Sequence, residues 1–284
     1  MWDSTKGAVT NPAAFISTHA KFDTYGNQYE ATDALGNTAT TAFDTTYQAF
    51  PVSVTSAIPD PTGQQGSGVA FTTSATYDYV TGLPLTATDA NGQVTTMEYN
   101  DPLLRPTKVT APNGQQTITE YGAGTDASTR YVKVSTQIDA TDWKVGYSWY
   151  DGLGRAYRSQ EVNSNGDIFA DKQFDGQGRI SRVSNPYRTG ETLQWTTNVY
   201  DEASRVKEVD LTDGATVKTD YGVSTSGGIV GLTKQITDQA GKQRKGVSDA
   251  LGNMVRVIED PDGLNLSTDY TFDILGNLRK TAQG

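Results

Sequence analysis

The sequence contains no cysteine and a single histidine, His19. Without thiols there is no disulfide framework, no thiolate nucleophile and no zinc–thiolate cluster. His19 has no second imidazole with which to complete a metal or nucleophile constellation, so it reads as a surface residue. Hydrophobic residues make up only 35% of the 284 positions, and mean hydropathy is -0.53, too little aliphatic bulk for a thick globular core. No run approaches the ~20 apolar residues that a membrane helix needs. The opening residues, Met1 to Gly7, lack the charged start and apolar centre of a secretion signal. Cationic charge is short as well: 23 Lys and Arg stand against 33 Asp and Glu, a formal charge of -10, the wrong sign for a phosphate backbone. Neither nucleic acid nor membrane insertion is expected of this segment.

What is abundant is glycine, with 29 copies, and tyrosine, with 15. Both concentrate in a recurring hexad, aromatic-Asp-x-x-Gly-Arg/Asn. It stands as Phe22-Asp23-Thr24-Tyr25-Gly26-Asn27, Tyr150-Asp151-Gly152-Leu153-Gly154-Arg155, Phe174-Asp175-Gly176-Gln177-Gly178-Arg179 and Phe272-Asp273-Ile274-Leu275-Gly276-Asn277. Looser copies are Tyr200-Asp201-Glu202-Ala203-Ser204-Arg205, with Ser for Gly, and Ser248-Asp249-Ala250-Leu251-Gly252-Asn253 and Thr32-Asp33-Ala34-Leu35-Gly36-Asn37, with a hydroxyl residue for the aromatic. Strand-end aromatics recur at 21 residues (Phe22 to Phe43), 22 (Tyr77 to Tyr99 and Tyr99 to Tyr121), 24 (Tyr150 to Phe174) and 26 (Phe174 to Tyr200). A drifting period in the low twenties is a unit of two strands and two turns.

The second turn of each unit lies between hexads, as Asn91-Gly92, Asn113-Gly114, Asn165-Gly166, Asp213-Gly214 and Asp262-Gly263. These are the strongest short hairpin signals, because the favoured turns need positive φ, which Gly adopts freely and Asn or Asp tolerate. Between turns the side chains alternate: Trp143, Val145, Tyr147 and Trp149 share one face, as do Val132, Val134, Thr136 and Ile138, then Leu193, Trp195, Thr197 and Val199, and Leu264, Leu266, Thr268 and Tyr270. Strands of ~8 residues are expected, and no stretch carries a helical stripe with a capping box. The fold class is therefore all-β, tandem hairpins in a mostly single-layer antiparallel sheet wetted on both faces. Residues 1–20 read as an irregular lead-in and 21–284 as the repeat array, with a Pro/Gly-rich insertion near 50–70. Smaller insertions at Gly122–Asp126 and around Gly222–Gly228 join it as exposed loops open to nicking.

Within the hexad, the Asp carboxylate is expected to accept backbone N–H groups two residues on, and Gly supplies the left-handed corner. The aromatics of neighbouring units are expected to stack side by side across the sheet, contributing roughly 0.2–1 kcal/mol per pair. Arg after the Gly is expected to reach an Asp of the adjacent hexad.

Hexads, period and intervening turns together resemble the YD repeats of the Rhs family, which occur in bacterial Rhs polymorphic toxins, in the B and C components of insecticidal toxin complexes and in animal teneurins. Residues 32–55 with Tyr77–Pro84 are most similar to the B-component type. The resemblance implies a long sheet that spirals into a hollow shell around a toxic or unfolded polypeptide, of which this chain is a section. It further implies a secreted or cell-surface setting within a larger bacterial protein.

No catalytic, cofactor or metal residues are assigned. Asp260-Pro261-Asp262-Gly263-Leu264 matches the Asp-Pro-x-Gly-Leu of the self-cleaving site that ends many Rhs cores. It occupies an ordinary turn slot, another repeat follows, and the aromatic-rich lead-in is missing, so no cleavage at Leu264 is expected. Asn163–Asp167 is similar to part of a calcium loop, but the twelfth position counted from Glu161 is Lys172, where a bidentate Glu belongs. Gly241-Lys242 has Ile236 where a phosphate loop needs its leading Gly. Two roles remain, both without enzymatic chemistry. One is a wall around a polypeptide cargo. The other is a module whose Trp143, Trp149 and Trp195 stack on sugar rings of a surface glycan. Bare sheet edges are expected to make an isolated fragment close, cap itself or self-associate.

Overall fold

A computed structural model of the chain describes residues 17–124, 126–225 and 230–284. The expected lead-in lies largely outside these, as does part of the expected loop around Gly222–Gly228. Among the described residues there is no helix, and every strand pairing is antiparallel. In chain order the first ten strands are β1 His19–Phe22, β2 Gln28–Thr32, β3 Thr38–Phe43, β4 Pro51–Thr55, β5 Thr72–Tyr77, β6 Pro84–Thr88, β7 Val94–Glu98, β8 Lys108–Thr110, β9 Gln116–Ala123 and β10 Arg130–Gln137. The rest are β11 Trp143–Tyr150, β12 Ala156–Glu161, β13 Ile168–Phe174, β14 Ile180–Ser184, β15 Tyr187–Arg188, β16 Trp195–Tyr200, β17 Val206–Asp210, β18 Thr216–Ser224, β19 Gly231–Thr237, β20 Gln243–Ser248, β21 Met254–Glu259, β22 Leu266–Phe272 and β23 Leu278–Gln283.

The chain divides into two compact units, Met1–Gly122 with Val132–Val145, and Ala123–Tyr131 with Gly146–Gly284. In the first, each strand from β1 to β9 pairs with the next in sequence. In the second the same rule holds with one departure. Strand β13 carries three partners, β12 along Ile168–Asp171, β14 along its C-terminal half and the two-residue β15 at Ile168 and Phe169, while β14 passes the ladder to β16. Most strands have five to seven residues, shorter than the alternation predicted, because the aspartate-closed turns consume strand ends. Ile138, Leu193 and Leu264 fall outside the ladder.

The two kinds of turn differ in register. At hexad corners the pairing slips by one residue immediately before the aromatic, between Lys21 and Phe22, Trp149 and Tyr150, Gln173 and Phe174, Val199 and Tyr200, and Thr271 and Phe272. The ladders that flank the second turns, such as β2–β3, β12–β13 and β21–β22, run without a slip. A bulge leaves one residue unpaired and sharpens the local twist, so these units bend at the hexad corner and not at the other. The Asp33 turn joins β2 to β3 and belongs to the second, unbulged kind.

Little is buried. Among the described residues the apolar core consists of Val247 and Val257, and the buried polar residues are Asp44, Ser135, Asp171, Ser184 and Thr233. Cross-strand hydroxyl pairs, Thr32–Thr38 at 3.0 Å, Thr55–Thr72 at 2.9 Å and Thr76–Thr86 at 2.7 Å, occupy positions that an apolar core would fill in a thicker fold. Stability must therefore come from the ladder and from the corners.

Candidate functional site

The corners carry the recurrent chemistry of this chain. In the corner at Asp151, carboxylate Oδ1 accepts the N–H groups of Leu153 at 2.9 Å and Arg155 at 3.0 Å, and Oδ2 accepts Arg155 Nε at 2.7 Å. Gly154 N–H donates to the Asp151 carbonyl at 3.1 Å and Asp151 N–H to the Arg155 carbonyl at 3.0 Å. Gly154 holds the positive φ of 77° that this loop requires. The Arg155 backbone N–H and guanidinium keep the Asp151 carboxyl below its usual range.

Asp175 with Arg179 and Asp201 with Arg205 repeat these bonds. Asp23, Asp249 and Asp273 repeat them with Asn27, Asn253 and Asn277, whose Nδ2 takes the place of the guanidinium. Gly26, Gly178, Gly252 and Gly276 share the positive φ, and Ser204 adopts it without being glycine, at 62°.

Two expectations are corrected here. Arg pairs with the Asp of its own hexad, not with that of the neighbour, and no two predicted hexad aromatics contact each other among the described residues. Both follow from one distance. An intervening strand separates successive corners by roughly 9–10 Å, beyond ring contact. Only a long side chain spans that gap, and it is Arg that does so.

The Arg155 guanidinium lies 4.2 Å from the centre of the Phe174 ring, Arg179 4.3 Å from Tyr200, and Arg205 4.2 Å from Tyr221. Each Arg therefore joins its own Asp to the aromatic of the next corner. Arg179 Nη1 also donates to Ser204 Oγ of that next corner at 3.1 Å. The tyrosines answer in the other direction: Tyr200 OH donates to the Ile180 carbonyl at 2.8 Å and Tyr221 OH to the Val206 carbonyl at 3.1 Å.

Sequence reasoning missed several members of this set. Asp101 and Arg105 form a corner, with Arg105 Nε and Nη2 on the carboxylate at 2.8 and 2.7 Å. The Arg105 guanidinium lies 3.8 Å from the centre of the Tyr121 ring. An extra Asn100 and the substitution of Leu104, with φ 57°, for Gly hid it. Asp44 was missed because its loop is longer. The carboxylate is 3% exposed and accepts four backbone N–H groups, from Thr46 (3.0 Å), Tyr47 (2.6 Å), Ala49 (2.9 Å) and Phe50 (3.0 Å). Burial pushes this carboxyl up, but the four donors outweigh it and bring it to about 2. The signal that could have found Tyr221 is spacing, since it lies 15 residues after the carbonyl that its hydroxyl reaches, as Tyr121 does.

The tryptophans proposed for glycans are only partly free. Trp149 stacks on Tyr147 with ring centres 5.2 Å apart, and the Arg182 guanidinium sits 4.4 Å from the centre of Trp195. Trp143 is half-buried at the start of β11. More exposed rings occur elsewhere: Tyr47 is 60% and Tyr79 40% exposed, and they pack together with Phe50 at 5.3–5.4 Å. The expected loop at 50–70 is closed on itself. Asp60 accepts N–H groups from Thr62, Gln65 and Gly66, and Asp60 N–H reaches the Ser67 carbonyl at 3.0 Å.

Against known proteins, residues 77–116 match the family model for the RHS Repeat. That stretch holds the Tyr77 corner, the Asn91-Gly92 turn and the Asp101–Arg105 corner. Residues 77–116 are thus similar to an RHS repeat.

The crystal structure of TcdB2-TccC3 superposes on 94% of this chain with a TM-score of 0.69 at 16% identity, using 16% of that chain. The crystal structure of TcdB2-TccC3-TEV gives 0.68 at 13% identity, using 19% of that chain. TcdB2-TccC3 without its hypervariable C-terminal region gives 0.66 at 14% identity, again using 19% of that chain. This chain thus spans less than a fifth of each of these three solved chains. No curated protein sequence matches it. A region of structural repeats, all-β and antiparallel, is what these findings establish.

The Arg bridges make a measurable prediction. In a double-mutant cycle of Arg179→Ala and Tyr200→Ala, followed by urea unfolding, a coupling of about 0.5–1 kcal/mol is expected for a half-exposed cation over a ring. Arg179→Ala with Tyr221→Ala, one corner further on, is expected to show none.

Proposed function

We propose that this chain is a wall section of an RHS-type shell that encloses or displays another polypeptide within a larger secreted protein, and that it works without catalysis. The observation that supports this reading most directly is the near absence of a core. Among the described residues two buried valines serve a sheet of this length, and corners in series stand in for a core. A polypeptide folded as an enzyme or a globular binder concentrates burial around a site. Here the work is spread evenly along a ladder, which suits a partition. The shared fold with a small part of each TcdB2-TccC3 chain fits a section of something longer.

The mechanism is exclusion. A hydrogen-bonded sheet leaves no gap through which a protease or chaperone can reach a chain behind it. Among the described residues no helix is long and apolar enough to cross a membrane, and we assign no membrane passage to this segment. Protease protection tests the reading. In the full-length gene product, an enclosed segment is expected to survive trypsin until denaturant opens the wall. Digestion of every segment outside residues 17–284 at the rate of an unfolded chain would overturn it.

A second reading, stacking on surface glycans, is favoured at Tyr47 and Tyr79, whose rings are exposed, over Trp149 and Trp195, whose faces are in use. Glycan-array binding that persists in Tyr47→Ala/Tyr79→Ala would exclude it at that place.

A further inference from the structure

From residue 31 to residue 97 the sequence holds no Lys, Arg or His, while Asp33, Asp44, Asp60, Asp78 and Asp89 all fall there. Among the described residues none of these five carboxylates has a cationic partner. Arg105 is the first arginine of the chain. The bridges that join later corners therefore cannot be built before it.

Two corners in this stretch show what stands in their place. Asp44 N–H donates to the Phe50 carbonyl and Asp78 N–H to the Leu83 carbonyl, each at 2.9 Å, as Asp151 N–H does to the carbonyl of Arg155. Phe50 and Leu83 thus hold the position of the bridging arginine. The Phe50 ring meets that of Tyr77, the aromatic of the next corner, at 5.2 Å, just as Arg155 meets Phe174.

Both loops also carry an added aromatic, Tyr47 and Tyr79, where the Asp151, Asp175 and Asp201 loops carry none. Tyr47 lies 5.4 Å from Tyr79, and Tyr79 lies 5.3 Å from Phe50, so four rings form one row across two corners. Among the described residues no cation covers any of the four, whereas Tyr121, Phe174, Tyr200 and Tyr221 each lie under an arginine. Strands β2 and β7, which flank these corners along the ladder, are already paired to β3 and β6. With those neighbours in place, Tyr47 is still 60% and Tyr79 40% exposed.

Exposure alone suits a sugar, but the surrounding charge favours a cation. A field of carboxylates without internal cations attracts positive groups. A guanidinium over a ring is also the contact that this chain makes at its other corners. We infer that the Tyr47–Tyr79 ledge binds an arginine-bearing segment of a second polypeptide, whose guanidinium takes the place over the rings that Arg155, Arg179 and Arg205 fill from within the chain. Arginine is preferred to lysine because its flat, weakly hydrated fork stacks on a ring, whereas an ammonium keeps its water. The contact is independent of what the wall encloses, since Tyr47 and Tyr79 stand in turns and not on a sheet face.

Fluorescence anisotropy tests the proposal with a labelled decapeptide of alternating arginine and glycine. Two counterparts carry lysine, or citrulline, whose neutral urea keeps nearly the same shape. The wild-type chain is expected to bind the arginine peptide, the lysine peptide several-fold more weakly, and the citrulline peptide at least about tenfold more weakly. Tyr47→Ala/Tyr79→Ala, which leaves the net charge unchanged, is expected to weaken the arginine peptide by about tenfold. Tyr47→Phe/Tyr79→Phe, which keeps the rings, is expected to bind as the wild type does. Equal binding by the wild type and the alanine pair would reduce the contact to general attraction by an acidic chain and overturn the proposal. Equal binding of the citrulline peptide would overturn it too, and that comparison needs no variant to fold. A neutral oligosaccharide such as maltohexaose that binds through Tyr47 and Tyr79 while the arginine peptide does not would assign the rings to glycans instead.

Discussion

Asp171→Ala is expected to destabilise the second unit by about 2–3 kcal/mol, read as a lower urea midpoint at unchanged slope. Asp171 is 8% exposed and sits on β13 between the segments that pair with β15 and with β14. Its Oδ1 accepts Arg158 Nε at 2.7 Å, and its Oδ2 accepts Arg158 Nη2 at 2.9 Å and Tyr187 OH at 3.0 Å. Its backbone N–H donates to Ser184 Oγ at 2.8 Å. One side chain thus ties β12, β13 and β15 together at the point where the ladder forks.

Breaking a fully buried pair by removing one partner costs about 3–5 kcal/mol. The Arg158 side chain is 39% exposed, so water screens the orphaned cation and the lower figure applies. Burial raises the Asp171 carboxyl, but Arg158 and the Tyr187 hydroxyl outweigh it and leave it lowered. Tyr187 is raised, by burial first and then by the carboxylate beside it. A lowered carboxyl stabilises the fold at pH above the unfolded value near ~3.9 and loses that contribution as pH falls through its folded value. Asp171→Ala is therefore expected to flatten the acid limb of the stability profile. Faster amide exchange confined to Tyr187–Arg188 and the start of β13 would accompany it, because β15 pairs with nothing else. Unchanged exchange there would show that the fork is held by other contacts.

Asp44→Ala is expected to lower Tm by more than any hexad aspartate does, by about 5 °C or more on the scale of a domain this size. The hexad carboxylates accept two backbone N–H groups each and remain partly wet. Asp44 is buried and accepts four, so its loss leaves donors that water reaches poorly. Asp44→Asn is expected to fare no better, because its amide places N–H groups where acceptors are needed. With its carboxyl at about 2 and an unfolded value near ~3.9, the stabilisation is complete above about pH 4 and lost between there and pH 2. Circular dichroism during acid titration of wild type and Asp44→Asn checks this. The wild type should show a transition in that window that the variant lacks, and superimposable curves would refute the assignment.

Much of this protein was legible in its sequence, for reasons that are local. An Asp that closes a turn needs only its own carboxylate and the next few N–H groups, so Asp23, Asp151, Asp175, Asp201, Asp249 and Asp273 could be read as corners from spacing alone. The Gly after them could be read as a left-handed position for the same reason. Low apolar content announced a thin sheet, and two buried valines are what it delivered. Direction of strands, absence of helix and the tandem hairpin order followed from alternation and turn chemistry.

What local reasoning lacked was the width of one strand. Hexads adjacent in sequence are second neighbours in space, so rings expected to stack on rings are instead bridged by Arg155, Arg179 and Arg205. The bulges before Phe22, Tyr150, Phe174, Tyr200 and Phe272, the fork at β13, the corner at Asp101 with Leu104 in place of Gly, and the cage around Asp44 likewise depend on which backbone lies alongside which. Sequence alone determined where this chain turns and that its described residues form sheet without helix. Tertiary structure decided what each turn touches, because contacts across a ladder are set by pairing register and inter-strand distance, quantities that no single segment contains.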